Sequence, residues 1–408
     1  MCGSGRGRSG TRPRGGRVGD SAVVVGAGIA GLASAIALAR TGWRVTVLER
    51  SADLGEVGAG LAMSRNAVAA FRGLGFDDDD VAALGYPTWA GGTYDLHGRP
   101  ILALPDTPAT RATVSLVGVH RHRLHAALHR RALDSGVAII TGVPVAAVDP
   151  GAPQGASAVV DGREAELVVG ADGIRSAMRA AVFPDARPVY SGFSSWRAIA
   201  PGAFGDTALR QYWGPRAEFG ILRVSDDETY WYGYVAMPQH TVLDDELTAA
   251  KAGFARWTPA VREVMDATPP DAVLRHEVDH LPGGVPRYTT GRVVLVGDAA
   301  HGTLPTMGQG AATALEDGLC LGLLVGEPVR AGGRLGPALA GFDAARRPRC
   351  RALARASVAS GRIGAHLGGG WRQTGRNALM RLTPATAVLR GARAAMGWTP
   401  PEPAAPVR

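Results

Sequence analysis

Residues 21–50 read SAVVVGAGIAGLASAIALARTGWRVTVLER, and this stretch decides the fold. Ala22–Val25 is a short apolar run with the composition of a buried strand. Ile29–Arg40 is apolar all round, as a buried helix is. Thr41-Gly42 ends it, because glycine accepts the left-handed conformation that stops helices. Arg44–Leu48 is β-branched and reads as a second strand. The join between the first strand and the helix is Gly26-Ala27-Gly28-Ile29-Ala30-Gly31. Gly26 permits a tight turn, Gly28 lets a pyrophosphate reach the backbone, and Gly31 lets helix and strand pack closely. The start of the helix then offers unpaired N–H groups and a positive dipole end to phosphate. Glu49 closes the second strand, where a carboxylate accepts a ribose 2′-hydroxyl and repels a 2′-phosphate. Arg50 follows it. The unit is a dinucleotide-binding β-α-β.

Working outward, Leu167–Val169 and Val293–Val296 are two more apolar strands, each running into a Gly/Asp turn and then a helical segment. Between them the character changes. Residues 185–275 hold Trp196, Trp213, Trp231 and Trp257 with five of the eight tyrosines, and Thr229–Val235 (TYWYGYV) reads as sheet. The expected fold class is α/β: a Rossmann-like nucleotide-binding domain (20–184 and 276–340, discontinuous), an inserted antiparallel β-sheet substrate domain (185–275) and a C-terminal helical segment (341–399) broken at Gly368–Gly370 and Pro384. Residues 1–19, rich in Arg and Gly, read as a disordered tail, and 400–408 as a second loose tail. Asp77–Asp80 reads as a solvated acidic turn.

The net charge of +8 is two local features. Residues 1–19 hold five arginines and residues 344–401 hold eleven, neither with an acid, so the rest of the chain carries −8. No nucleic-acid motif accompanies the charge, so nucleic acid is not an expected partner. The arginine-rich C-terminal segment is expected to lie against the acidic remainder or a second subunit, with a membrane-surface role as the alternative. Cys2, Cys320 and Cys350 form no CxxC pair and no Cys/His spacing, so no metal site and no disulfide framework is expected, and a cytoplasmic location fits. No run is long and apolar enough for stable membrane insertion. The chain is expected to be a monomer or homodimer.

Two further motifs complete the picture. One is Gly170-Ala171-Asp172-Gly173-Ile174-Arg175-Ser176. The other is Gly297-Asp298-Ala299-Ala300-His301, continuing through Pro305 to Gly308-Gln309-Gly310-Ala311. Asp298, at a strand end, can take the ribityl hydroxyls of a flavin; its competing reading is a helix N-cap. The helix that opens at Gly310 aims its N–H groups where a reduced flavin carries negative charge. In this order the three motifs resemble the fingerprints of the group A FAD-dependent aromatic hydroxylases (the p-hydroxybenzoate hydroxylase fold) over residues 20–350. Glu56-Val57-Gly58-Ala59-Gly60 with Asn66, and Arg121 followed by Leu124 and Leu128, resemble its salicylate and 3-hydroxybenzoate hydroxylase branch.

The resemblance implies noncovalent FAD held by Gly26, Gly28, Ile29, Ala30, Gly31, Glu49, Arg50, Gly60, Arg121, Asp172, Arg175, Asp298, Gly308, Gly310 and Ala311. It implies NAD(P)H and O2 as co-substrates and hydroxylation of an aromatic or polycyclic small molecule through a flavin C4a-hydroperoxide. The cofactor carries the hard step, so the chain needs little acid–base machinery. Asp172 with Arg175 also reads as a structural ion pair, Arg121 as a solvated helix charge, and His301 as structural rather than a base. Pro305, Gly308 and Arg197 are the catalytic candidates. Phe193, Arg197, Tyr212, Glu218, Phe219 and Tyr232 are the candidates for substrate contact. Phe193 and Arg197 stand where relatives often carry His and Tyr, and Gly302 stands where relatives often have Pro after the His. Both departures count against salicylate-like or hydroxybenzoate substrates. A flavin dehydrogenase or reductase, an epoxidase and a Baeyer–Villiger oxygenase are the alternatives on this fold.

Overall fold

The computed structural model describes residues 21–55 and 58–402; residues 1–20, with the expected tail 1–19, Glu56, Val57 and the tail beyond 402 lie outside them. The opening stretch forms strand Ser21–Val25, helix Ile29–Arg40 and strand Arg44–Leu48. These sit in a six-stranded sheet in the order 289–290, 293–295, 167–170, 21–25, 44–48, 138–140. Every join is parallel except the edge pair Thr289–Thr290 with Val293–Leu295. Strands buried on both faces must be apolar throughout, as Leu167–Gly170 and Val293–Leu295 are. The strands preceding the three motifs are adjacent and parallel. Gly26, Ala171 and Gly297 therefore emerge side by side at one edge, where open α/β sheets bind ligands.

The second sheet has nine strands and is wider than the expected insertion. Val189–Pro201, Leu209–Gly214, Ala217–Arg223 and Glu228–Ala236 lie within 185–275, but Leu274–His280 forms one edge. Gly60–Ser64, Gly85–Asp95, Pro100–Ala103 and Ser115–His120 complete the other side. The bridge is a parallel pairing of Leu209–Gly214 with Gly85–Asp95. A non-local pairing of this kind leaves no mark in local composition, so the domain boundary at 185 was too sharp. A three-stranded sheet, 148–149, 158–160 and 163–165, stands apart.

Asp77–Asp80 is solvated as expected, but it is a helix start rather than a turn. Asp77 caps the helix Asp78–Leu84 by accepting from the Asp80 N–H (2.8 Å), and Asp80 accepts from the Asp77 N–H in return. The acids sit where the helix dipole favours them.

The C-terminal segment forms helices Leu335–Ile363, Trp371–Arg381 and Ala385–Met396, broken at the Gly and Pro positions expected; the first helix begins ahead of residue 341. The arginines divide. Arg346, fully buried, and Arg349 reach across to Glu316 and Asp317 of the helix Gly310–Leu321, at 2.6–2.8 Å. Those two acids are wholly buried, and a buried carboxylate is tolerable only when paired. This part of the arginine-rich segment docks on acids of the preceding chain. The arginines of the last two helices mostly face outward.

Candidate active site

The Gly-rich turn is shaped by what glycine alone permits. Gly26 has φ +103°, and a Cβ there would sit 2.5 Å from the Ala171 carbonyl oxygen; a Cβ at Gly31 would run into the Gly26 carbonyl. Gly28 caps the helix Ile29–Arg40 with extended backbone and no side-chain cap bond, so the first N–H groups stay available. A cavity of about 140 Å³ opens beside them, lined by Ala27, Gly28, Glu49, Ser51 and His125 among others. Glu49 accepts from the Ala27 N–H (2.8 Å) and the Ser51 N–H (2.9 Å), one bond per oxygen. A carboxylate retains further lone pairs for ribose hydroxyls. Arg50, next to Glu49, is exposed. His125, which sequence reading passed over, is buried and bonds the Ala27 carbonyl through Nε2 (2.8 Å), fixing the turn from behind. Its signal was its place beside Leu124 and near Leu128 on the buried face of the helix Arg121–Asp134.

Arg121 opens that helix. Its stem passes so close to Gly58 that a Cβ there would meet Arg121 Cδ at 2.8 Å, and its N–H donates to the Ala59 carbonyl (3.1 Å). Arg121 thus runs along residues 58–60, and Gly60 is buried against the Tyr230 ring.

Asp172 and Arg175 do not pair with each other. Asp172 accepts from the Ser176 hydroxyl and the Met178 N–H (3.0 Å), anchoring the helix Ala177–Val182, while exposed Arg175 reaches Asp279 (3.3 Å). The buried arginine here is Arg179, in the helix that follows the motif. It donates to the carbonyls of Ile174, Ala186, Asp298 and Ala299, tying the second motif to the third. Asp298 is exposed and bonds nothing through its side chain among the described residues; the N-cap of its four-residue helix is Gly297, so the capping alternative does not hold. Pro305–Met307 forms a single 3-10 turn ending at Gly308, which is left-handed (φ +61°) and exposed. A Cβ at Gly308 or Gly310 would meet nothing within 4 Å. The helix Gly310–Leu321 thus opens onto free space, with half-buried Ala311 in its first turn and no acid there.

Behind this opening runs a buried polar chain. Gln309 donates to Ser64 Oγ (3.1 Å), and Asn66 donates to Gln309 Oε1 (2.9 Å) and Glu316 Oε1 (2.6 Å). His301 Nε2 meets Asp317 at 2.6 Å, and Asp317 also accepts from the Gly297 N–H (2.9 Å). Burial disfavours the His301 imidazolium, but neighbouring Cys350 and Asp317 outweigh it and raise its pKa. Burial likewise opposes ionised Asp317, yet His301 and Arg346 hold its carboxyl below the usual range. His301 is therefore a structural cation. The fold also brings Cys350 beside His301 and Asp317, a Cys/His neighbourhood invisible in the spacing, with Arg346 bonded to the same Asp317 (2.7 Å).

The nine-stranded sheet turns one face to this site. Residues opposite one another on antiparallel strands share a face, and neighbours along a strand alternate. The pairs Arg197 with Tyr232, Ser195 with Tyr234 and with His276, Glu218 with Tyr234, and Trp213 with Glu218 define that face. Leu304 of the third motif packs against Phe193 and Tyr234 there, and Ala59 against Tyr230. Tyr212 and Phe219 alternate to the other face. They lie in a core with Trp231, Phe254, Val261 and Val264, so neither contacts substrate. Adjacent Glu218 and Phe219 could not both point into one pocket. Phe193 is on the correct face but enclosed by His366 (ring centroids 4.1 Å) and Tyr234 (4.9 Å), and is only 3% exposed.

Three polar groups on this face lack the partner their chemistry calls for. Arg197 has no carboxylate within ion-pair distance among the described residues, only a long contact to Ser195 Oγ (3.4 Å). His276 Nδ1 is buried without a hydrogen-bond partner. Burial, then the charges of Arg197 and Arg121, hold His276 below its usual pKa and hence neutral. Glu218 is buried without a cation; burial pushes it up to about 7, although the Tyr232 hydroxyl (2.7 Å) and Trp213 Nε1 (3.1 Å) donate to it. Gln211 donates to both Glu218 (3.2 Å) and Tyr232 (2.9 Å).

A family model described as FAD binding domain matches residues 20–357. The chain belongs to that family. Its relatives place it among the group A FAD-dependent aromatic hydroxylases. It is 34% identical to an aurachin C monooxygenase/isomerase of Stigmatella aurantiaca, covering 85% of this chain and 90% of the other. It is 31% identical to a 2-heptyl-3-hydroxy-4(1H)-quinolone synthase of Pseudomonas aeruginosa, covering 89% and 94%. The crystal structure of Klebsiella pneumoniae HpxO complexed with FAD and uric acid superposes with a TM-score of 0.80 at 25% identity, covering 92% and 96%. This hydroxylase is an FAD-dependent monooxygenase, and NAD(P)H and O2 are the co-substrates of its family. The glycine turn, the open helix starts and the unpaired Asp298 carboxylate fit FAD.

Proposed function

We propose that this hydroxylase oxygenates a bicyclic N-heteroaromatic small molecule of the 4-quinolone type, bound between the Arg197–Tyr232 sheet face and the Pro305–Gly308 turn. The observation that carries the reading is the polar set on that face: Arg197 without a counter-charge, His276 Nδ1 without a hydrogen-bond partner, and buried Glu218, hydrogen-bonded by Tyr232 but without a cation. A buried polar group is kept without a protein partner only when something else satisfies it. A quinolone carbonyl accepts from Arg197, and its ring N–H donates toward the acidic pair. A benzoate carboxylate would suit Arg197 but meet repulsion from Glu218 as that residue ionises near neutrality. The relative from Pseudomonas aeruginosa, named for a 4(1H)-quinolone product, supports the ring class.

Bound FAD supplies the redox chemistry, taking reducing equivalents from NAD(P)H and activating O2. The chain's own groups bind, orient and exclude water. Glu49 and the N–H groups at Ile29–Gly31 hold the adenosine and pyrophosphate end. Asp298 takes the ribityl hydroxyls. Gly308, Gly310 and Ala311 present backbone to the reactive ring, and Pro305 forms the wall beside it. Arg121, along Gly60, and Arg50, next to Glu49, complete the cofactor contacts. Arg175, bound to Asp279 on the sheet domain, serves NAD(P)H handling rather than the flavin. Ionised Glu218 would accept the ring proton displaced on oxygenation, either directly or through the Tyr232 hydroxyl that donates to it, which would pass on its own proton and take the substrate's; this suits a carboxyl poised near 7. Among the described residues no helix is long and apolar enough to cross a membrane. The enzyme acts in the cytoplasm as a monomer or homodimer, a location that its scattered cysteines favour.

The test is a product assay with NADH and NADPH across 4-quinolones, hydroxybenzoates and purines. Arg197→Met is expected to raise KM for the quinolone at least ~10-fold by losing one charged hydrogen bond. Turnover of hydroxybenzoates but not quinolones would reject the ring assignment while leaving the monooxygenase intact.

A further inference from the structure

Most apolar side chains of this size are buried, yet the helix Trp371–Arg381 and its cap expose Trp371 (80%), Leu379 (70%) and Leu382 (80%). At 3.6 residues per turn these fall on one side of the helix with Ala378, opposite Arg376 and Met380. The inner side is firmly seated. Buried Arg376 stacks 5.0 Å from the Trp213 ring and donates to the Ile363 carbonyl (2.5 Å). The outer stripe is therefore presented by an anchored helix and is not a frayed end. A cation borders it: Arg372 lies 5.7 Å from the Trp371 ring, and the next helix, Ala385–Met396, exposes Arg390 and Arg393. No Asp or Glu occurs between residues 344 and 401.

We infer that the outer face of the helix Trp371–Arg381 docks this enzyme on an anionic phospholipid surface. An apolar stripe carrying a tryptophan and two leucines, flanked by arginines and free of acids, has the form of a helix lying in the plane of a membrane interface. The stripe enters the headgroup boundary and the arginines meet lipid phosphates. A second copy of the chain fits poorly, because a two-fold contact would set arginine against arginine. Nucleic acid would satisfy the arginines and leave the leucines in water. The association is peripheral. It stands on observations separate from the substrate assignment.

The test is sedimentation of the full-length, FAD-loaded protein at physiological salt with phosphatidylcholine vesicles, with and without phosphatidylglycerol. Pelleting is expected only with phosphatidylglycerol. Replacing Trp371, Leu379 and Leu382 together by Ser should weaken it at least ~10-fold, with Arg372→Gln giving a smaller loss. FAD content and activity in solution should not change in either variant, since these side chains touch neither. Absence of pelleting would overturn the inference, as would equal pelleting on uncharged vesicles. Undiminished pelleting of the triple variant would place binding elsewhere, for example in the five arginines of residues 1–19. Loss of a lipid-free dimer on the triple substitution would make the stripe a contact between copies.

Discussion

A carboxylate buried without a cation, as Glu218 is, holds its proton more tightly folded than unfolded. Its pKa rises from 4.5 to about 7 on folding. Between those values the folded state binds more protons than the unfolded, so the contribution of Glu218 to stability falls as pH rises through that window, by about 3 kcal/mol in all. Glu218→Gln, which mimics the protonated form, should remove this loss. Urea unfolding of both proteins at about pH 5 and pH 8 checks it: relative to the wild type, the variant should gain about 2.5 kcal/mol between the two, since part of the loss is already present at pH 5. A pH-independent difference would mean that Glu218 ionises normally. At the same scale, Asp298→Ala should lower FAD occupancy after gel filtration while leaving the melting temperature of the apoprotein within a degree or two, because its exposed side chain bonds nothing in the protein. Gly31→Ala should lower both, since its Cβ runs into the Gly26 carbonyl. The glycine motif and Asp298 were legible in the sequence because backbone conformation and strand-end position are local facts. Tyr212 and Phe219 were misassigned because composition marks a sheet but not its face; the alternation with Glu218 would have corrected at least one of them.

Among the elements, the helix Leu335–Ile363 has the least obvious job. Beyond its ion pairs, Ser357 accepts from Thr306 through its carbonyl (2.6 Å) and meets the Thr303 hydroxyl, so the helix clamps the turn that leads to Gly308. Asp317→Asn would leave His301 and Arg346 as buried cations short of a counter-charge. The expected cost is about 3–5 kcal/mol of unfolding free energy, with loss of the rigid Gly297 turn and of FAD. Chemical denaturation with FAD absorbance as a second probe measures both, and a cost under ~1 kcal/mol would contradict the account. The helices and strands were readable almost to the residue at Ile29–Arg40 and Arg44–Leu48, where one periodicity runs unbroken. The partnership of Arg346 with Glu316 and Asp317 was anticipated only as net charge seeking its opposite. Contacts about thirty residues apart have no spacing rule.

For the molecule as a whole, the described residues hold one Gly-x-Gly-x-x-Gly turn between a strand and a helix, at Gly26–Gly31, and FAD is proposed to occupy it. NAD(P)H must therefore meet the flavin transiently. Reduction without substrate would waste reductant as H2O2, so NAD(P)H oxidation should be slow alone and rise at least ~10-fold with substrate. That corresponds to only about 1.4 kcal/mol of barrier, within reach of a loop or cofactor movement. Anaerobic stopped-flow bleaching of the flavin reads the gate, and equal rates with and without substrate would remove it. The join of the two sheets through Gly85–Asp95 and Leu209–Gly214 was the largest feature hidden from the sequence, because a parallel pairing across more than a hundred residues leaves no local trace. The same sheet packs Leu304, next to Pro305, against Phe193 and Tyr234, and it is there that a quinolone-type ring is proposed to be oxygenated. The most direct test is mass spectrometry of products formed from 4-quinolones with NAD(P)H under ¹⁸O2. One labelled oxygen atom in the quinolone product is the result expected. Reductant consumed with H2O2 alone and no label in any quinolone would contradict it.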